Sequence, residues 1–299
     1  MTTNIMKPGD LIQPPKEAGF VFDQLNDLPL DESITQLYYG GSGTGKTWYV
    51  GTAGPRTLII NIGGGLKTIQ SPVFKRLYFK DGSPLVVTIQ EERDPTTGLF
   101  KAAEAFDRVC DSIDYALQHY SDRFDTIALD DATSLRYFAS NKALEAAGAI
   151  GSSKTLERSK KYGMLLLAQQ DYLGEMNLVE QFVAGTIDIC KTHKKHFLMT
   201  AHERFTFKKL LDNKGKVIGE QVDTIRPGFV GKTFPDDITN HFDLVWNATV
   251  ARTGQGMIYR ALTVDTMGRK GKTRYVGVFK EVESSPNFLK VVAAIRAAS

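Results

Sequence analysis

Eight consecutive residues constrain this chain more than any others: Gly40-Gly41-Ser42-Gly43-Thr44-Gly45-Lys46-Thr47. They fit G-x-x-x-x-G-K-S/T, a loop whose glycines let the backbone approach a polyphosphate and turn its amides inward. The motif needs a strand before it and a helix after it. Ile34, Leu37, Tyr38 and Tyr39 form an apolar run ahead of it, and Trp48-Tyr49-Val50 opens a helix that Gly51 and Gly54 limit to about two turns. Gly40 to Gly45, Lys46, Thr47 and Trp48 then form a nucleotide cradle, with Lys46 on the β- and γ-phosphates of ATP and the Thr47 hydroxyl on Mg²⁺. A Gly/Ser linker with a chance lysine is the competing reading, but linkers rarely sit between a strand and a helix.

A second element supports the cradle. Phe124 to Asp131 is an apolar strand ending in acid, the pattern that presents a carboxylate to Mg²⁺. Asp130 takes that role, and Asp131 is placed to orient a water.

Elsewhere the chain reads as an α/β fold. Residues 1–33 are a proline-rich arm carrying Phe20-Val21-Phe22; residues 34–282 form the core and 283–299 a closing helix, with Ser285 as its cap. Thr57 to Ile62 is a buried strand ending in Gly63-Gly64-Gly65. Two apolar runs between Arg76 and Ile89, split by Asp81-Gly82-Ser83-Pro84, are a hairpin or two sheet strands. Lys101 to Tyr120 has helical apolar spacing, 133–163 is a basic segment with small residues, and Met164 to Ile189 is a long helix. Phe197 to Ala201 is another strand. The preceding Lys191 to His196 reads as a solvated helix end. Arg204 to Leu211 and Val217 to Ile225 alternate around a turn, a protruding hairpin. Strands at 242–250 and 257–264, a basic turn at 268–274 and a last strand at 275–279 complete the core.

Two cysteines without metal spacing, Cys110 and Cys190, read as reduced thiols. No apolar run approaches membrane-spanning length, so the sequence reads as a soluble, cytoplasmic protein with no membrane partner. The net charge of +3 neither demands nor excludes nucleic acid.

Taken in order, the phosphate loop, the Gly-Gly-Gly-Leu strand end, Leu129-Asp130-Asp131, Gln170-Asp171-Tyr172, Met199-Thr200-Ala201-His202-Glu203, Phe242 to Val245 and Lys272-Thr273-Arg274 resemble the phage nucleotide-binding ATPases of RecA-like type, including single-strand-annealing recombination ATPases. The resemblance spans roughly residues 34–282. It implies a mostly parallel sheet flanked by helices, antiparallel C-terminal strands, and Mg²⁺–ATP bound at the sheet edge between subunits of a ring or filament. It also implies that Thr200 or His202 senses the γ-phosphate, and that Lys272 and Arg274 reach into a neighbour's site. His202 has a second reading as a satisfied core histidine, and the 272–274 cations as a solvated hairpin tip. Relatives carry a glutamate at the end of the second strand to polarise water; here that place is Gly63. Either Asp131, Glu203 or a residue of 91–94 substitutes, or hydrolysis is slow.

The resemblance further implies single-stranded DNA as a partner. Lys154, Arg158, Lys160, Lys161, Arg204, Lys208 and Lys209 are the phosphate contacts, and Phe205 and Phe207 the stacking residues. A nucleotide-gated assembly protein that binds no DNA is the alternative, and a small-molecule kinase ranks behind both.

Overall fold

Three strands in this protein are buried at every position: β1 (Thr35–Gly40), β2 (Thr57–Asn61) and β4 (Thr126–Asp130). Unbroken apolar and β-branched runs of this kind belong to parallel sheets covered on both faces. The computed structural model describes residues 33–92, 95–96, 103–146, 171–213, 215–231, 233–254, 256–266 and 268–298. The N-terminal arm to residue 32, most of the 93–102 loop and the whole of 147–170, with Lys154, Arg158, Lys160 and Lys161, lie outside the described residues.

β3 (Leu85–Thr88), β5 (His196–Leu211) and β7 (Leu244–Thr253) complete a six-stranded parallel set in the order β7-β1-β5-β4-β2-β3. Beyond β7 the sheet turns antiparallel through β8 (Gly256–Leu262) and β10 (Val282–Ser284), and the two-residue β9 (Lys272–Thr273) also pairs with β7. The fold is therefore mixed α/β, mostly parallel, with antiparallel C-terminal strands.

Helices cover both faces. On one side α4 (Ala105–Tyr120), α5 (Ala132–Ala146), α6 (Asp171–Thr192) and α7 (Phe234–Thr239) pack Val109, Ile113, Leu135, Val183 and Ile238 against Leu37, Ile60 and Phe197. On the other, α1 (Lys46–Gly51), α2 (Lys67–Gln70), α3 (Pro72–Tyr78) and α8 (Phe288–Ala298) pack Tyr49, Ile69, Phe74 and Phe288 against Tyr38, Ile59 and Trp246. Among the described residues no helix is long and apolar enough to cross a membrane.

Several sequence expectations change here. The first apolar run of 76–89 is the end of α3 and not a strand. Ser71 accepts from the Phe74 amide at 3.2 Å with Pro72 next, a helix start that outweighs the aromatic content downstream. Residues 275–279 form a turn, since Gly277 at φ 78° breaks an extended run, and the strand falls later, at β10. Asn287, not Ser285, caps α8: its Oδ1 accepts from the Lys290 amide at 3.0 Å. Only part of the 191–196 cluster is solvated. Lys195 Nζ donates to the Ser121 and Phe124 carbonyls at 2.6 and 2.8 Å, and buried His196 accepts from the Ile34 amide at 3.1 Å.

β5 is far longer than the strand expected at 197–201. It leaves the sheet after His202 and pairs with β6 (Val217–Pro227) as the antiparallel hairpin read from the alternation.

Candidate nucleotide site

The carboxyl ends of β1, β2, β4 and β5 converge, as ligand-binding ends of open α/β sheets do. β1 ends at Gly40, where an added Cβ would lie 2.6 Å from the Ala248 carbonyl oxygen, so the strand end admits only glycine. The loop turns through Gly43 and Gly45, at φ 77° and 85°, and enters α1. With six residues α1 contributes a weak dipole; the loop amides and Lys46 are the anion-binding groups.

Lys46 is 8% exposed. Its Nζ donates to the Gly40 and Gly41 carbonyls at 2.9 and 2.8 Å. Burial pulls its pKa below the ordinary lysine value, while Asp131, Asp130 and Glu203 push it back up. The ammonium is thus stripped of water yet surrounded by carboxylates, a position a polyphosphate would satisfy.

Thr47 and Asp130 meet directly: the Thr47 hydroxyl donates to Asp130 Oδ2 at 2.7 Å. The other carboxylate oxygen accepts from Thr200 at 2.5 Å. Burial raises the Asp130 pKa above its usual value; the two hydroxyls oppose the rise and the neighbouring Asp131 adds to it. Two hard oxygen donors of this kind fit Mg²⁺, which takes few protein ligands and fills its shell with water and phosphate. No group of three or more His, Cys, Asp or Glu that could hold a metal exists among the described residues.

Asp131 serves two neighbours. Its Oδ1 accepts from the Ser134 amide at 2.8 Å, capping α5. Its Oδ2 lies 2.7 Å from where a Cβ on Gly63 would be, and 3.6 Å from His202 Nε2. The carboxylate therefore stands against Gly63, where the resemblance placed a glutamate. His202 has a side chain 45% exposed, so it is not a core histidine. Glu203 Oε1 lies 3.0 Å from a Cβ position on Gly41, and its Oε2 is 3.6 Å from Arg269.

A hollow of about 290 Å³ is lined by Ser42, Lys46, Asp130, Asp131, His202 and Tyr259, among others. Gly43, Gly45, Thr47 and Trp48 also line it, with Trp48 held edge-on to Phe74 at 4.6 Å. Gly40, Gly41 and Thr44 shape the loop behind it, the Thr44 hydroxyl donating to the Gly41 carbonyl at 2.9 Å. Thr200 contacts Asp130 and does not line the hollow. Thr68, on α2, and Tyr259, on β8, line the hollow and were missed by sequence reasoning; the Tyr259 ring lies 2.9 Å from a Cβ position on Gly45. Nothing local marks Tyr259, because the contact spans the whole core.

Lys272 and Arg274 sit elsewhere. β9 pairs Thr273 with Leu244, and Asp243 bonds to Thr35 at the start of β1, so these cations lie some five residues, about 16 Å, from the loop at the strand's other end. They are also occupied. Lys272 donates to the Thr239 and Asn240 carbonyls at 3.2 and 3.1 Å, and Arg274 to Asp243 at 2.9 Å and Asn240 at 3.0 Å. In their own chain they complete the end of α7. Of the nucleic-acid residues, Arg204 donates to the Phe229 carbonyl at 3.0 Å, while Phe205, Phe207, Lys208 and Lys209 are exposed along the hairpin.

No curated protein matches the sequence. Among solved structures, the flagellar accessory protein FlaH from Methanocaldococcus jannaschii is similar at a TM-score of 0.42 and 10% identity, over 85% of this chain and 84% of that one. A KaiC-like protein from the hyperthermophilic archaeon Pyrococcus horikoshii is similar at 0.37 and 12%, over 77% of each chain. The AAA domain family matches residues 32–275, which include every group that forms the hollow. The chain belongs to that family and is a P-loop nucleotide-binding domain.

Proposed function

We propose that the protein hydrolyses ATP and uses the nucleotide state to control a hairpin that holds single-stranded DNA. One observation carries this reading. β5 bears Thr200 on the metal-site carboxylate, His202 beside Asp131 and Glu203 against the phosphate loop, and then continues without a break into the hairpin. A shift at the phosphates has only one or two residues to travel.

In this reading Lys46 and the loop amides bind the phosphates, and Thr47 and Asp130 would hold Mg²⁺, which would supply positive charge against the polyphosphate. Asp131 accepts the proton of the attacking water, with Oδ2, the oxygen facing His202, as the basic atom and its Oδ1 fixed by α5. Gly63 makes room for it. Exposed Phe205 and Phe207 stack bases while Lys208 and Lys209 meet phosphates. The setting is that of the phage ATPases the sequence resembles, DNA recombination or replication.

ATP turnover with and without single-stranded DNA tests the reading. Asp131→Asn is expected to lower turnover by about 10²-fold or more while nucleotide still binds, and DNA is expected to raise wild-type turnover. Oligonucleotide anisotropy that shows no binding at low salt, with or without ATP, removes the DNA half. A second reading, nucleotide-gated assembly without DNA, is favoured by the apolar hairpin tip, where Leu211 and Ile218 are exposed. Light scattering that responds to ATP but not to DNA would select it.

A further inference from the structure

We propose that the tip of the β5–β6 hairpin docks against the β3–α4 edge of a second copy of the chain, joining copies head to tail. The receiving surface is an apolar groove of about 470 Å³ lined by Leu85, Val86, Val87, Tyr115, Ala116 and Tyr120. Val86 is 47% exposed and Tyr115 57%. Among the described residues β3 ends the sheet and pairs only with β2, which leaves its outer edge without a described ladder partner. Edge strands are usually blunted by a charge, a bulge or a covering element, and Leu85–Thr88 carries no charge.

The groove's rim is acidic. Asp111 lines it, with Asp107 and Asp114 on the same helix. Asp107 is held by Lys142 at 2.7 Å, whereas Asp111 and Asp114 have no ion pair among the described residues. On the same helix, burial first and then these three aspartates push the Cys110 thiol up to about 11. Arg108 also reaches the groove, but its guanidinium is taken by Glu104 at 2.7 Å and Glu92 at 3.5 Å.

The hairpin tip is the complement of that surface. Leu211, Val217 and Ile218 are 57%, 47% and 66% exposed, with Leu211 and Val217 paired across the strands. Lys208, Lys209 and Lys216 flank them and form no ion pair among the described residues, and they outnumber the two acids there, Asp212 and Glu220. An apolar strip rimmed by cations thus faces outward on one part of the chain, and an apolar strip rimmed by anions on another. Two strands, β4 and β2, separate their origins in the sheet. Different patches meeting in this way make a heterologous contact, which closes into a ring or runs on as a helix. The inference does not depend on ATP hydrolysis or DNA binding.

Sedimentation velocity of the full chain, without nucleic acid, tests it. Wild type is expected to show concentration-dependent species larger than a monomer that shrink as salt rises. Ile218→Asp alone and Val86→Asp alone are each expected to be monomers. Mixed, they are expected to form a dimer and nothing larger, because each keeps one intact surface. Retained fluorescent-ATP binding shows that each variant is folded and separates failure here from failure of the nucleotide site. A monomeric wild type at every concentration, variants that assemble like wild type, or a mixture that stays monomeric would each overturn the proposal.

Discussion

The two halves of β5 are one strand under opposite physical rules. From His196 to Ala201 every residue is buried, paired in parallel with β1 on one side and β4 on the other. From Glu203 to Leu211 the strand pairs, among the described residues, only with β6, through two register shifts, and presents Phe205, Phe207 and Leu211 to solvent. Burial fixes the first half. Cross-strand pairs, a turn closed by Asp212 and Lys216, and the anchors of Glu203 on Arg269 and Arg204 on the Phe229 carbonyl hold the second. In the proposed reading a strand so divided is suited to carry a signal from its buried half, at the nucleotide site, to its exposed half.

The sharpest break of that comparison is a pair of like substitutions. Phe197 is fully buried and stacks on Phe242 at 6.1 Å, so Phe197→Ala is expected to cost about 3–5 kcal/mol in chemical denaturation. Phe207→Ala, in the same strand, is expected to change stability by no more than about 0.5 kcal/mol. Equal costs would mean that the hairpin is packed, not free.

Next in size is Gly63→Ala. Its methyl would stand 2.7 Å from Asp131 Oδ2, so turnover is expected to fall about 10²-fold while ATP affinity changes little. Unchanged turnover would remove Asp131 from the chemistry. Thr200→Val deletes the hydrogen bond on Asp130 and is expected to weaken Mg²⁺-dependent ATP binding about tenfold, since bonds to charged groups contribute roughly 1.5–3 kcal/mol.

The smallest effect is that of pH. Burial raises Asp130 above its usual 3.8, so in the folded chain it takes up its proton at a higher pH than an exposed aspartate. Its ionisation therefore costs stability as pH rises from 3.8 toward the raised value. Mg²⁺ favours the ionised form, so Mg²⁺-dependent nucleotide binding is expected to weaken on acidification while pH is still above 3.8. Titration calorimetry across the acid range measures this, and loss confined to the ordinary aspartate range would contradict it.

What was legible in the sequence was local. The phosphate loop, the acid at Asp130 and the hairpin each declare themselves within about ten residues, by motif or by alternation. The helix at α3 was legible too, through Ser71-Pro72, but apolar Leu77 to Phe79 drew the reading toward a strand. Tyr259 over Gly45, Lys195 on the Phe124 carbonyl and Arg274 on Asp243 were not legible, because each joins segments far apart in the chain. Gly63 is instructive: an apparent deficit in the sequence becomes, in space, the room taken by the Asp131 carboxylate.

The claim that nucleotide state passes along β5 is tested most directly by amide hydrogen exchange across residues 196–227 with and without Mg²⁺–ATP. The account predicts that ATP changes protection in the 203–227 hairpin of the wild type, leaves 197–201 slow in both states, and changes nothing in Lys46→Ala. A hairpin whose exchange is the same with ATP bound and with ATP absent would contradict it.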